Sequence, residues 1–423
     1  MSSTTSSGIS LTKTIIGAGM LSIPYAFATD GVLCGVWLIL AAAITSGFGL
    51  FLQAYVSRYV PRGHASFFSV CSITYPSLSV VFDMAIAVQC FGCSLSYLVL
   101  IGDLMPTVVA NTTRTFWIGI SALVIVPLSF LRNLDSLKFS SVIGLLAIFY
   151  LAVVVIGHFL VGDIPREGTV SWVVPPSVTG MFSTFSILVF AYTGHQNMFS
   201  IINEASDKSL PALSQLINLA IMLSTVLFVG VGLSGYLTFG DSVNGNVILS
   251  YPPGTITTIA RAAIVVMVTF SFPLMFHPAR ISVNNIYYWL TTRSQQTAAP
   301  AETEAGETQP LVDDEHASGS KEAVVVPFPA VPYVVITSLL LAAAYALALS
   351  ITSFALVLAV VGATGSTAIS FILPGLFGYK LIGSELPVET YAISSLRNAA
   401  LGLSVWGGLV MVVCLGAIIA GNY

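Results

Sequence analysis

From Ala323 to Tyr379 the chain carries no Asp, Glu, Lys or Arg. A helix crosses the hydrocarbon core of a bilayer in about 20 residues, so this stretch is too long for one passage and must turn. The Ser350-Ile351-Thr352-Ser353 patch is where it turns. The rest of the chain follows the same pattern, with only 8% charged residues and 56% hydrophobic ones. A soluble domain carries roughly 25% charged residues, so the chain reads as an integral membrane protein. Eleven apolar segments stand out, at about 8–29, 32–57, 77–105, 114–131, 138–161, 178–203, 210–239, 256–277, 329–349, 352–379 and 397–421. They lack the alternation of a β-barrel wall. The expected fold class is an all-α integral membrane protein with about 11 transmembrane helices.

The basic residues orient it. With the N-terminus in the cytosol, Lys13, Arg58, Arg62, Arg132, Lys138, Lys208, Arg280, Arg293, Lys321, Lys380 and Arg397 fall in or beside cytosolic loops. Only Arg114, Arg166 and Arg261 fall outside. That split is the positive-inside bias. An odd helix count then puts the C-terminus on the lumenal or extracellular side. Asn111-Thr112-Thr113, a glycosylation sequon, lies in an expected outer loop. The N-terminal MSSTTSSGIS has no basic region ahead of an apolar core, so no cleavable signal is expected and the first helix serves as the insertion signal.

Residues 294–323 differ from the rest. They hold seven of the 18 acids and many Thr, Ala, Gln and Pro residues, which predicts a disordered acidic cytosolic loop. This loop accounts for the formal net charge of −4. The chain otherwise reads as a single transmembrane domain over residues 1–423. Cys90 and Cys93 form a C-x-x-C, but they lie inside an apolar helix without further ligands and read as packing residues. No metal or cofactor is expected. HExxH, GxSxG, paired catalytic Asp and Walker motifs are absent, which argues against an enzyme and against an ATP-driven pump. Nothing in the chain suggests a nucleic-acid partner, or the charged rings and oligomeric symmetry of a channel.

Two apolar segments are interrupted at their centres. LTKTIIGAGMLSIPYAF (11–27) contains Gly17, Gly19 and Pro24, and FSTFSILVFAYTGHQNMFSII (182–202) contains Gly194, His195, Gln196 and Asn197. Glycine costs a helix interior about 1 kcal/mol relative to alanine, and proline removes an amide donor. Unwound backbone survives within a membrane only against protein or a water-lined cavity. Two such breaks about 175 residues apart suggest halves of helices 1–5 (about 8–161) and 6–10 (about 178–379). Five helices is an odd number, so the halves would have opposite topology. Helix 11 (about 397–421) would be an addition. Breaks in corresponding positions point to a central binding site.

At these residues the sequence resembles a known family. KTIIGAGMLSIPYAF, SFFSVCSITYP, VQCFGCSLSYLVLIGDL, AYTGHQNMFSIINE and FILPGLFGYKL are similar to segments of the amino acid/auxin permease family, above all its fungal vacuolar amino acid transporters. The resemblance implies a five-plus-five inverted-repeat (LeuT-like) transporter fold. It also implies secondary transport of amino acids through the bilayer, with a monomeric transport unit, and proton-coupled export from the vacuole to the cytosol.

The residues suit that chemistry. A zwitterion needs partners for a carboxylate and an ammonium, yet fixed charges within a membrane are costly. Amides opening a half-helix attract an anion, and carbonyls closing one attract a cation. Gly17, Ala18, Gly19 and Met20 would offer amides to the carboxylate. Carbonyls around Phe190, Ala191 and Tyr192 would take the ammonium, with Thr14 and Thr193 as hydroxyl contacts. His195, inside the second break, is the candidate for proton coupling or substrate contact. Thr269 and Ser271 are the candidates for the competing mechanism, sodium-coupled uptake at the plasma membrane, although Met20 stands where some sodium-coupled relatives carry a polar ligand. An amino acid sensor on the same fold is a further alternative. No fixed charge is evident near the breaks, which favours neutral amino acids.

Overall fold

The computed structural model describes residues 4–132, 140–166, 168–298, 328–385 and 390–421. Among them there is no strand. The helices, in chain order, begin with α1 (Thr4–Ile15), α2 (Ile23–Asp30), α3 (Val32–Val56), α4 (Phe67–Thr74), α5 (Ser79–Val108) and α6 (Arg114–Ser129). They continue with α7 (Ser140–Val161), α8 (Val178–Ala191), α9 (His195–Glu204), α10 (Leu210–Phe239) and α11 (Thr255–Ala298). The last are α12 (Ala330–Ser350), α13 (Phe354–Val361), α14 (Leu373–Leu381) and α15 (Tyr391–Ala420). Eight stretches are long and apolar enough to cross a membrane as single helices, which makes this an all-helical integral membrane protein.

Each of the eleven apolar segments is occupied by helix, and both expected interruptions are present. The first separates α1 from α2, with a 3₁₀ turn at Ala18–Ser22 between them and Pro24 in the first turn of α2. The second separates α8 from α9 at Tyr192, Thr193 and Gly194, so that of the residues expected in this break only Gly194 lies in it, while His195, Gln196 and Asn197 form the first turn of α9. A third irregularity was not anticipated. Between α13 and α14 the helix widens into two π-helical segments, Gly362–Ser366 and Ala368–Ile372. Gly362 lies against the Ser186 carbonyl of α8, too close for any side chain. Such π segments recur at functional sites.

Burial decides which helices form the centre. Residues 354–381 and 76–108 are the most buried of the long helical stretches, and α5 packs along α11. Outer helices instead expose apolar side chains such as Trp37, Ile44, Leu123, Val405 and Ile419. A continuous apolar surface of this kind suits lipid contact.

Two expectations are corrected here. Arg280 is not in a loop. The eighth apolar segment does not end near residue 277, because α11 runs on through Pro273 and Pro278 to Ala298. The Arg280 side chain is buried, with Nη1 donating to Ser129 O at 2.7 Å and the guanidinium 4.3 Å from the Tyr333 ring. It thereby satisfies the end of α6, whose last carbonyls have no partner within the helix. Arg261 is likewise buried, donating to Ile248 O and Tyr251 O. The acidic segment 294–323 lies outside the described residues beyond Ala298, as does Lys138.

Arg114 has a comparable role. Its Nε is 2.9 Å from Asp103 Oδ1, and its two Nη atoms donate to Ala348 O and Ile351 O at the end of α12. One side chain therefore joins α5, α6 and α12. The five cysteines are all unpaired, and Cys90 and Cys93 are buried within α5, as expected of packing residues.

Candidate functional site

The two breaks face each other. A methyl group on Gly19 would meet Ala191 Cα at 3.0 Å and Phe190 Cδ1 at 3.3 Å. One on Gly194 would meet Ile15 Cγ1 at 2.9 Å and Leu11 Cδ1 at 3.2 Å. Each break thus uses a glycine to bring its backbone against the other discontinuous helix.

A cavity of about 40 Å³ lies at this junction. The first break lines it through Thr14, Gly17, Ala18 and Gly19, and the second through Phe190, Ala191, Thr193 and Gln196. A water needs about 10–15 Å³ of such space. The cavity is therefore sized for a few waters, and anything as large as an amino acid requires the half-helices to part. No side chain lining it carries a formal charge. The polar surface comes from the backbone at the breaks, from hydroxyls and from amide side chains. The first amides of a helical turn lack an intrahelical partner, and those of Ala18 and Gly19 open the 3₁₀ turn here.

Not every expected residue reaches this cavity. Met20 is fully buried but absent from its wall. Tyr192 turns away: its hydroxyl donates to Thr225 Oγ1 at 2.7 Å and its ring packs on Phe228 of α10. The Phe190 carbonyl accepts the Thr193 amide at 3.0 Å. Thr14 and Thr193 line the wall, yet their hydroxyls donate to Ser10 O and Val189 O within their own helices. Such back-bonding is common for Ser and Thr in helices.

His195 opens α9 and is fully buried. Its Nε2 lies 3.1 Å from Ser46 O. A carbonyl only accepts, so in the neutral ring the proton is on Nε2 and Nδ1 is the bare nitrogen. Nδ1 has no partner. The ring faces α3, where Gln53 Nε2 also donates to His195 O at 3.3 Å. Thr269 donates to Val265 O, and neither it nor Ser271 lines the cavity. From α11 it is Met275 that does.

The remaining wall comes from Gln89, Cys93 and Tyr97 of α5. Sequence reasoning did not select these as site residues. Their spacing of four places them on one helix face, which is a readable signal, but that spacing alone does not tell which neighbour the face meets. Gln89 Oε1 also accepts from Ser366 Oγ at 2.7 Å, linking the wall to the π segment. Two larger clefts lie elsewhere. One of about 670 Å³ is a largely apolar groove between α3 and α10. The other, about 920 Å³, lies among residues 57–65 and 202–211 and includes Arg58, Arg62 and Lys208. Asn111 is exposed, with φ of 61°.

An all-helical membrane protein with two interrupted helices meeting over a small uncharged cavity has the makings of a transporter. The chain matches the family described as "Transmembrane amino acid transporter protein" over residues 1–416 and belongs to it. It is 42% identical to vacuolar amino acid transporter 7 of Saccharomyces cerevisiae, over 91% of this chain and 90% of that one. It is 40% identical to vacuolar amino acid transporter 6 of the same yeast, over 98% of each. A sodium-coupled neutral amino acid transporter 7 of Bos taurus is 27% identical over 64% of this chain and 62% of its own. The family is one of transporters and not of enzymes.

Proposed function

We propose that the chain is a secondary active transporter that exports neutral amino acids from the vacuolar lumen to the cytosol, driven by protons, through alternating access. The observation that carries this reading is the Gly19–Ala191 junction over its cavity. In the proposed topology, helices 1–5 and 6–10 form an inverted-repeat, LeuT-like pair with helix 11 added. The N-terminus is cytosolic and the C-terminus lumenal. The turn between α2 and α3 then lies on the lumenal side, as does Asn111, whose glycosylation would report that orientation. The Ala18 and Gly19 amides hold the substrate carboxylate, carbonyls of the second break hold the ammonium, and His195 is the candidate proton carrier. The vacuolar names of the yeast relatives support the compartment, and the uncharged wall supports neutral substrates.

Sodium-coupled uptake is the second reading, favoured by the name of the bovine relative. The test is uptake of a panel of labelled amino acids into proteoliposomes, with an imposed proton gradient compared against an imposed sodium gradient. Concentrative uptake driven by protons alone is the expected result. Drive by sodium alone would replace this reading with the second one. Binding without any uptake would leave a sensor.

A further inference from the structure

Asp30 ends α2 and is fully buried. Its Oδ1 accepts from Thr29 Oγ1 and from Thr184 Oγ1 of α8, each at 2.9 Å. Its Oδ2 has no partner among the described residues. An acid at the C-terminal end of a helix faces the negative end of its dipole, so the position gives a carboxylate no help. A buried polar atom left unpaired is costly, and a charged one more so. Packing alone therefore does not account for a carboxyl group here.

Counting hydrogens shows what the cluster lacks. The two hydroxyls supply two protons. Thr29 Oγ1 is 2.9 Å from Ala26 O, from Asp30 Oδ1 and from Thr184 Oγ1. Thr184 Oγ1 is 2.9 Å from Gly180 O as well. When both hydroxyls serve the carboxylate, both helix carbonyls lose these donors and Oδ2 stays bare. One added proton, on Oδ1, returns those donors and leaves the bare Oδ2 the oxygen of a neutral acid. The carboxylic acid then donates to a threonine oxygen, and each hydroxyl is free to donate to its own helix. The bond partners between α2 and α8 thus depend on one proton.

Among the described residues the surroundings offer no countercharge. The segment 169–177 packs against this end of α2, with Ser177 N donating to Thr29 O, and holds no titratable side chain. From α3 there is Cys34, whose thiol donates to Met181 Sδ of α8. From α10 there is Tyr236, which stacks on Phe27 and whose hydroxyl accepts from Ser171 N. From the turn after α10 there is Asp241, whose carboxylate accepts from the Thr169 amide and hydroxyl. None of these is a cation.

We propose that the Asp30 carboxyl, with the Thr29 and Thr184 hydroxyls, is a proton-binding site on the lumenal side that couples protonation to the joint between the half-helices α2 and α8. This rests on the transport reading above. It adds a lumenal group to the chain's coupling machinery, at the opposite end of the broken helices from α9.

The test uses the full chain in proteoliposomes, with Asp30→Asn and Thr184→Val. Infrared difference spectra between neutral and acidic pH report the carbonyl stretch of a protonated carboxylic acid. One such band is expected to be lost in Asp30→Asn and kept, at a shifted pH, in Thr184→Val. Counterflow exchange of labelled glutamine, which needs no gradient, reads whether Asp30→Asn still carries substrate. Accumulation driven by a proton gradient is expected to be lost. An unchanged infrared band in Asp30→Asn overturns the proposal, as does retained proton-driven accumulation. Loss of the band on adding sodium at constant pH overturns it too, since the site would then hold a metal cation. If wild type never accumulates substrate, the transport reading fails, and the infrared measurement still decides whether Asp30 takes a proton.

Discussion

Gly19 and Ala191 hold the two helix breaks in direct contact: a Cβ on Gly19 would lie 3.0 Å from Ala191 Cα and 3.2 Å from Ala191 Cβ. These neighbours are backbone and a short side chain, so neither can swing aside. The contact makes each broken helix the wall of the other's break.

Gly19→Ala should therefore impair transport. Overpacking a tight contact costs about 1–3 kcal/mol, which corresponds to about a fivefold fall in rate or more if it falls on the transport cycle. Gly17→Ala is the control, because its nearest neighbour would be Thr14 O at 4.0 Å. Its thermal unfolding in detergent should stay close to wild type. Equal loss of stability in both variants would contradict this account.

Arg114→Met should destabilise the fold. It leaves Asp103, whose side chain is 14% exposed, without its cation, and removes the donors to Ala348 O and Ile351 O. Breaking a buried pair by removing one partner costs about 3 kcal/mol or more. The double variant with Asp103→Asn should recover part of that loss. Thermal unfolding of the four proteins of this cycle measures the coupling.

His195→Gln should separate packing from proton transfer. Glutamine can keep a donor for Ser46 O but has no second nitrogen to protonate. Protein yield and gradient-free exchange should stay near wild type, while proton-driven accumulation should fall at least about threefold, or 0.7 kcal/mol in driving terms. Unchanged accumulation across the pH range would reduce His195 to a packing residue.

Asp207 should make the turn into α10 acid-sensitive. Its exposed carboxylate accepts the Ser209 amide at 2.8 Å, and this bond holds its pKa below the usual carboxylate range. A lowered folded pKa gives stability that is present above the unfolded value and lost as pH falls through the folded one. Hydrogen-exchange protection at the first turn of α10, corrected for the pH dependence of the intrinsic rate, should fall at acidic pH in wild type. In Asp207→Asn the same amides should show no such acid-dependent step.

Much of the fold was legible because its causes are local. Interruptions were read at Gly17–Pro24 and at Gly194–Asn197, and both helices do break, the second at Tyr192–Gly194, just ahead of most of the residues that suggested it. Helix ends were less legible. The position of Arg280 suggested a loop, since a lone cation on an apolar stretch is costly. Its partners, Ser129 O and the Tyr333 ring, come from elements roughly 150 and 50 residues away. The site divides in the same way. Glycines and Thr14 were chosen from their own sequence context and do line the cavity. Tyr192 was chosen for its backbone carbonyl, and where its ring goes, to Thr225 and Phe228 of α10, could not be read from the break itself.

The sequence by itself determined that the chain is helical, that it belongs in a membrane, and where two helices must break. Those outcomes follow from the transfer cost of charge and from the backbone chemistry of glycine and proline, which act within one segment. Only the tertiary structure decided which polar groups meet. Gln89, Cys93 and Tyr97 become cavity wall because α5 passes the breaks. Asp30 becomes a buried, half-satisfied acid because α8 brings Thr184 to it. A side chain's hydrogen-bond partners and its dielectric surroundings are properties of neighbours distant in sequence, and no local pattern records them.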